Sequence, residues 1–247
     1  MMRGTTAVLS VILCMGGSMS ANAQEKGFAS DRFDTSYGEL TITFIGHGTL
    51  MFQFGGKVFH VDPYGKLADY AGLPKADAIL ITHDHADHLD PAALAAVRKP
   101  DTAMVVSEAC KGKVEGSVMA NGDTRTVLGV GVEAVPAYNI RQHRDNGQPF
   151  HPRGPGNGYI LSFGDKRVYV AGDTENTPEM KALKKIDIAF LPMNLPYTMT
   201  PEMVADAAKA FKPKILYPYH FGDTDPARLA PLLKNEPGIE VRIRELR

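Results

Sequence analysis

A layered α/β sandwich is the fold class this sequence predicts, and three observations carry it. Short β-rich runs come first, a helix follows, and strands and helices then alternate to the end of the chain, unlike a parallel doubly wound sheet. Composition is that of an ordinary globular domain, 44% hydrophobic and 22% charged. At 247 residues the chain can bury a core without disulfides, and it shows no solenoid repeat, low-complexity tract or long linker.

Strand-like runs occupy Leu40 to Ile45, Leu50 to Phe54 and Lys57 to Val61, separated by glycines, with Gly55-Gly56 as a hairpin signal. Gln24 to about Ser36, ahead of them, reads as a polar lead-in. Ala78 to Thr82 is a further apolar strand leading into a His/Asp-rich loop. Asp90 and Pro91 then open a helix to about Arg98, the aspartate as N-cap and the proline in the first turn. Strands are expected at Ala103 to Val106, Arg125 to Leu128, Val132 to Pro136, Gly158 to Phe163 and Arg167 to Ala171. Ile186 to Leu191, a helix from Pro201 to Ala210 and a strand from Ile215 to Tyr219 follow. A helix from Pro226 to Lys234 and a strand from Ile239 to Ile243 finish the chain. Tyr138 to Gly158, rich in Gly, Pro, Arg and His, is the one long irregular connection, and such loops are often functional.

Net charge is −1, from 27 basic and 28 acidic residues, so nothing favours a binder of phosphate backbones and no nucleic-acid partner is expected. Tryptophan is absent, and the tyrosines and phenylalanines are scattered, which argues against an aromatic stacking platform.

Met1 to Ala23 reads as a secretory signal peptide: Arg3 in a short n-region, an apolar stretch from Thr5 to Gly17, and Ala21-Asn22-Ala23 as the cleavage pattern. The apolar stretch is short for a membrane span. The expectation is a secreted or periplasmic protein with one domain over residues 24–247 and no stable membrane span after cleavage. Removing residues 1–23 from 247 leaves 224 and takes Cys14 with it, so Cys110 stands alone and reads as a buried structural cysteine.

The chemistry concentrates in Thr82-His83-Asp84-His85-Ala86-Asp87-His88-Leu89-Asp90. Alternate side chains of an extended segment point the same way, so His83 and His85 can face one point. The turn towards the helix can carry Asp87 and His88 to a second point nearby. Imidazole and carboxylate together suit Zn2+ and tolerate Mn2+ or Fe2+.

At these residues the chain resembles the metallo-β-lactamase-fold superfamily, whose signature is His-x-His-x-Asp-His. The Gly172-Asp173-Thr174 turn and His220 after a strand resemble later elements of the same pattern. The resemblance, from about Leu40 to His220, implies a four-layer αββα sandwich and a site for two divalent metal ions, Zn2+ foremost. It places His83, His85 and a third histidine on one ion, and Asp87, His88 and His220 on the other, with Asp173 bridging. The chain departs from the simple pattern at Asn139, where many relatives place the third histidine. His151, in Phe150-His151-Pro152, is the preferred replacement, with His143 or a ligand supplied by water or Asn139 as alternatives.

Asp62 is the candidate to fix a metal-bound imidazole from behind. His47, in the first hairpin, is open to substrate contact or plain turn structure, and His60 reads as packing or surface. Asn194 and Tyr197 are candidate hydrogen-bond donors to an oxyanion, with turn and capping roles the alternative. Arg141, Arg144 and Arg153 make the long loop basic, which suits a small anionic substrate as well as a solvated loop.

Such a site acidifies a shared water, so that hydroxide attacks an ester, lactone, amide or phosphodiester bond, with Asp87 and Asp173 as the catalytic carboxylates. The alternatives are an iron-dependent oxidoreductase of the same fold and a non-catalytic metal-binding protein; substrate motifs of true β-lactamases are not recognisable. Expression in an export-competent Gram-negative host should give a mature chain beginning at Gln24, read by intact mass. A full-length chain retained in the cytoplasm would contradict the signal-peptide reading.

Overall fold

The computed structural model describes residue 1 and residues 27–247; the signal-peptide segment with Cys14 otherwise lies outside the described residues. Two seven-stranded sheets face each other. The first contains β1 (Ser30–Thr35), β2 (Gly38–Gly46), β3 (Thr49–Phe54), β4 (Lys57–Val61), β5 (Ala78–Ile81), β6 (Ala103–Ser107) and β7 (Ser117–Met119) in sequence order. The second contains β8 (Thr124–Val127), β9 (Val130–Pro136), β10 (Asn157–Phe163), β11 (Lys166–Val170), β12 (Ile188–Pro192), β13 (Ile215–Tyr219) and β14 (Glu240–Val241), again in sequence order. Helix α1 (Pro91–Val97) belongs to the first half; α2 (Pro178–Lys181), α3 (Pro201–Phe211) and α4 (Leu229–Leu233) belong to the second.

Period-two alternation sets which side chains meet between the sheets. Phe52 of the first sheet stacks on Phe163 of the second at 5.5 Å between centroids, and Phe44 lies 5.2 Å from Tyr217. All four rings are buried. On the opposite face of the second sheet, Tyr169 meets Phe211 of α3 edge-on at 6.2 Å. A separate apolar cluster joins Ala93, Leu94 and Val97 of α1 to Ile79, Ile81 and Val106 on the outer face of the first sheet. Helix, sheet, sheet and helix therefore form the four layers expected.

Local sequence accounts for the boundaries. Gly55 and Gly56 take φ of +56° and +72°, which lets a two-residue turn join β3 to β4. The Asp90 carboxylate accepts from the backbone N–H groups of Ala92 and Ala93 and caps α1. Thr200 accepts from Met203 N–H and caps α3.

Several expectations need correction. The polar lead-in contains β1, an edge strand with alternating exposure. The Asp31 carboxylate holds it by pairing with Arg244 at 2.8 Å and accepting from the Tyr217 hydroxyl, long-range partners that local polarity does not reveal. The expected helix from Pro226 begins as a 3-10 turn and becomes α4 only at Leu229. The final strand shortens to Glu240–Val241, while β7 and the single-turn α2 are too short to show a period. Cys110 is buried and free, and none of the helices among the described residues is long and apolar enough to cross a membrane.

His60 is buried in β4 and donates from Nε2 to the Pro74 carbonyl at 3.0 Å, leaving Nδ1 without a partner among the described residues. Burial pulls its pKa down from 6.5 to about 4, so the folded state resists the proton that the unfolded chain accepts. Its contribution is complete above pH 6.5 and is lost as pH falls towards 4. Between pH 7 and pH 5 this residue should lower unfolding free energy by about 2 kcal/mol. Urea unfolding of His60→Gln should show a correspondingly shallower acid slope than wild type; parallel slopes would refute the assignment.

Candidate metal centre

Parallel pairing assembles the site. β4 runs parallel to β5, and β11, β12 and β13 run parallel to one another, which aligns the carboxyl ends within each set. Asp62 follows β4, His83 lies just beyond β5, Asp173 follows β11, Asn194 follows β12 and His220 follows β13. Chain reversal after β5 is tight: the N–H groups of His88 and Leu89 both donate to the His85 carbonyl, at 3.0 and 2.8 Å. His47 sits in the β2–β3 turn, and His151 comes from the long loop between β9 and β10.

The side chains converge in overlapping groups: His83, His85, His151 and Asp173; His88, Asp173 and His220; and His47, Asp87 and His220. Asp173 spans the first two. Its Oδ2 lies 3.3 Å from His151 Nε2 and 4.0 Å from His83 Nε2. Its Oδ1 lies 3.5 Å from His88 Nε2 and 3.6 Å from His220 Nε2. Asp87 Oδ2 is 3.4 Å from His220 Nε2, 3.7 Å from His88 Nε2 and 3.1 Å from His47 Nε2.

Four of these atoms, His83 Nε2, His88 Nε2, His220 Nε2 and Asp173 Oδ1, are buried and have no hydrogen-bond partner among the described residues. Buried polar atoms are normally satisfied, because leaving one bare costs about 1–3 kcal/mol. Four bare donor atoms aimed at one another fit divalent cations, and the mixture of imidazole and carboxylate suits Zn2+.

Surrounding groups decide which ring nitrogen faces inward. His88 Nδ1 lies 2.8 Å from Asp62 Oδ2, so its N–H donates outward and Nε2 faces the centre. Thr82 donates its hydroxyl to Asp62 at 2.5 Å and stands 3.0 Å from His83 Nδ1, where it accepts that N–H. His151 Nδ1 donates to Asn139 Oδ1 at 2.7 Å. His85 presents Nδ1 instead, 3.2 Å from His151 Nε2. The turn carrying His47 presses on the same rings: a Cβ on Gly48 would stand 2.8 Å from His88 Cε1 and 3.2 Å from His220 Cδ2.

Charge is crowded here. Burial, then the neighbouring His88, hold His83 well below the ordinary imidazole value. Burial also opposes charge on His88, yet Asp173, Asp62 and Asp87 together push its pKa up to about 9. Burial would raise both Asp173 and Asp87, but the surrounding histidines hold each below the usual carboxylate range. The negative potential that three carboxylates concentrate at His88 favours a cation there.

His83, His85, Asp87, His88, His151, Asp173 and His220, the preferred ligand candidates from the sequence, come together in this cluster. His143 does not: it is exposed, with Nδ1 2.7 Å from the Arg141 carbonyl. Asn139 lies behind His151. Of the loop arginines, Arg144 lines the cavity over the cluster, Arg153 pairs with Glu179 at 2.6 Å, and Arg141 borders a separate groove. The cavity measures about 450 Å3, with Asn194 and Tyr197 on its wall and the Phe150 ring edge-on to Tyr197 at 5.0 Å. Sequence reasoning missed Thr82 and Glu175, whose roles rest on burial that no local pattern announces.

The family model described as the beta-lactamase superfamily domain matches residues 41–220. A metal-dependent hydrolase of Enterococcus faecalis is 34% identical over 212 residues, covering 80% of this chain and 91% of the relative. Among solved structures, one from Parabacteroides distasonis assigned as a metal-dependent hydrolase is 55% identical, with TM-score 0.84, covering 89% of this chain and 100% of the other. A metallo hydrolase of Ignicoccus hospitalis is 25% identical, with TM-score 0.67, covering 84% and 95%. Paired sheets, a His/Asp cluster at the strand ends and these likenesses agree: the chain belongs to the β-lactamase superfamily domain family, among the metal-dependent hydrolases of the metallo-β-lactamase fold.

Proposed function

We propose that this protein is an exported hydrolase that uses two divalent cations, Zn2+ foremost, to cleave an ester, lactone, amide or phosphodiester bond in a small anionic substrate. His83, His85 and His151 would hold one ion and Asp87, His88 and His220 the other, with one oxygen of Asp173 turned to each. The observation that carries this reading is the set of four bare, buried atoms at its centre, three imidazole nitrogens and Oδ1 of Asp173. When bound, the ions supply an acidified water and polarise the oxygen of the bond to be cut.

The chain's own groups do the rest. Asp87 is one-third exposed, and His47 lies 3.1 Å from its Oδ2, so the carboxylate is held where it can orient a nucleophile and carry a proton to the leaving group. Asn194 and Tyr197, on the cavity wall, can donate hydrogen bonds to an oxygen gaining negative charge. The Arg144 guanidinium lies 5.1 Å from the Phe150 ring centre, and this pairing suits an anion carrying a flat or apolar body. The hydrolases among the relatives support the reaction class and leave the bond open.

The test is metal analysis of the purified mature chain alongside assays on bis(p-nitrophenyl) phosphate and a lactone panel. Two equivalents of zinc, with hydrolysis abolished by chelation and restored by Zn2+, is the expected result. Bound iron without hydrolysis would sink the proposal. Asp87→Asn should lower kcat by about 10²–10⁴-fold. His151→Ala should lose one metal equivalent, and His143→Ala should lose none.

A further inference from the structure

We infer that Asn139 and Glu175 form a positioning relay behind His151, and that Asn139 thereby does for one metal set what Asp62 does for the other. The inference rests on the proposed metal reading and assigns roles to residues outside the ligand set. Asn139 and Glu175 are both buried. The Asn139 amide has a donor or acceptor at each corner. Its Oδ1 accepts from His151 Nδ1 at 2.7 Å and from the His151 main-chain N–H at 2.8 Å. Its Nδ2 donates to Glu175 Oε1 at 3.1 Å and to the Tyr197 carbonyl at 2.9 Å.

Those four partners leave the amide one orientation. Turning it over would set its oxygen against a carboxylate and a carbonyl, and its NH2 against a backbone N–H. With the oxygen fixed towards His151, the ring must carry its proton on Nδ1, and Nε2 is left with its lone pair towards His85 and Asp173.

Glu175 is what fixes the amide. It accepts from the main-chain N–H groups of Ile140 at 3.1 Å, Arg141 at 2.9 Å and Gln142 at 2.6 Å, as well as from Asn139. Its position, two residues after Asp173, links this loop to the residue shared by both groups. The Tyr197 carbonyl extends the same amide's reach to the cavity wall. Where a histidine would serve as a ligand, this chain places a side chain that aims the ligand supplied twelve residues later.

The experiment titrates chelator-treated full-length protein with Zn2+ and with Co2+, for wild type, Asn139→Ala, His151→Ala and the double variant. Asn139→Ala should weaken one of the two sites by about 10–100-fold, leave the other unchanged, and alter the Co2+ d–d spectrum of the weakened site only. In the His151→Ala background the same substitution should cost nothing more, because Asn139 acts through that ring. A role in loop structure alone would give additive losses and an unshifted Co2+ spectrum.

Proton NMR of Co2+-loaded wild type supplies a readout that no variant needs to fold for. The His151 Nδ1–H should appear as a paramagnetically shifted, solvent-protected resonance. Wild type that binds no metal overturns the proposed function. Wild type that binds two ions while lacking that resonance, or Asn139→Ala with both affinities intact, overturns the relay alone.

Discussion

A carboxylate buried at the meeting of two histidine groups is the constraint that the rest of this molecule answers to. Asp173 is 5% exposed, and each of its oxygens faces a different set of imidazoles. An isolated buried charge is costly, so it persists only where compensating groups are held close and in fixed orientation. The parallel strands that place Asp62, His83, Asp173 and His220 along aligned ends make that possible. The aromatic packing between the sheets keeps the two sets of ends in register.

The same constraint explains why so many buried hydrogen bonds lie just outside the cluster. An imidazole can turn either nitrogen inward, and an error in one ring leaves a proton where a lone pair is needed. Asp62 and Thr82 settle the choice for His88 and His83, and Asn139 faces His151 in the same way. These groups stand outside the cluster, yet they set the direction of the rings within it. Their stability contribution follows from the same contacts, because removing any one leaves a buried donor without an acceptor.

The ligand-type residues were legible because their chemistry is dense and local. His83, His85, Asp87 and His88 share one six-residue window, and Gly172-Asp173-Thr174 and His220 each follow an apolar strand. The central strands were legible too, since burial on both faces writes near-continuous apolar runs. What escaped is what depends on distant partners. β1 is polar and alternating, and it is held by Arg244 and Tyr217 from the far end of the chain. Glu175 reads as an ordinary acid, because its four N–H donors come from residues 139–142 across a loop whose path the sequence does not show.

Gly48 sets how closely main chain can approach the imidazoles. Its bare Cα lies against His88 and His220, so the β2–β3 turn forms a floor of main chain with no room for a side chain. The cavity walled by Arg144, Phe150 and Tyr197 borders His220 as well, and a smaller pocket shares His85, Phe150 and His151 with it. Any side chain at position 48 would press its Cβ into the His88 ring, so the distance between this main chain and the imidazoles is set by a side chain that is not there.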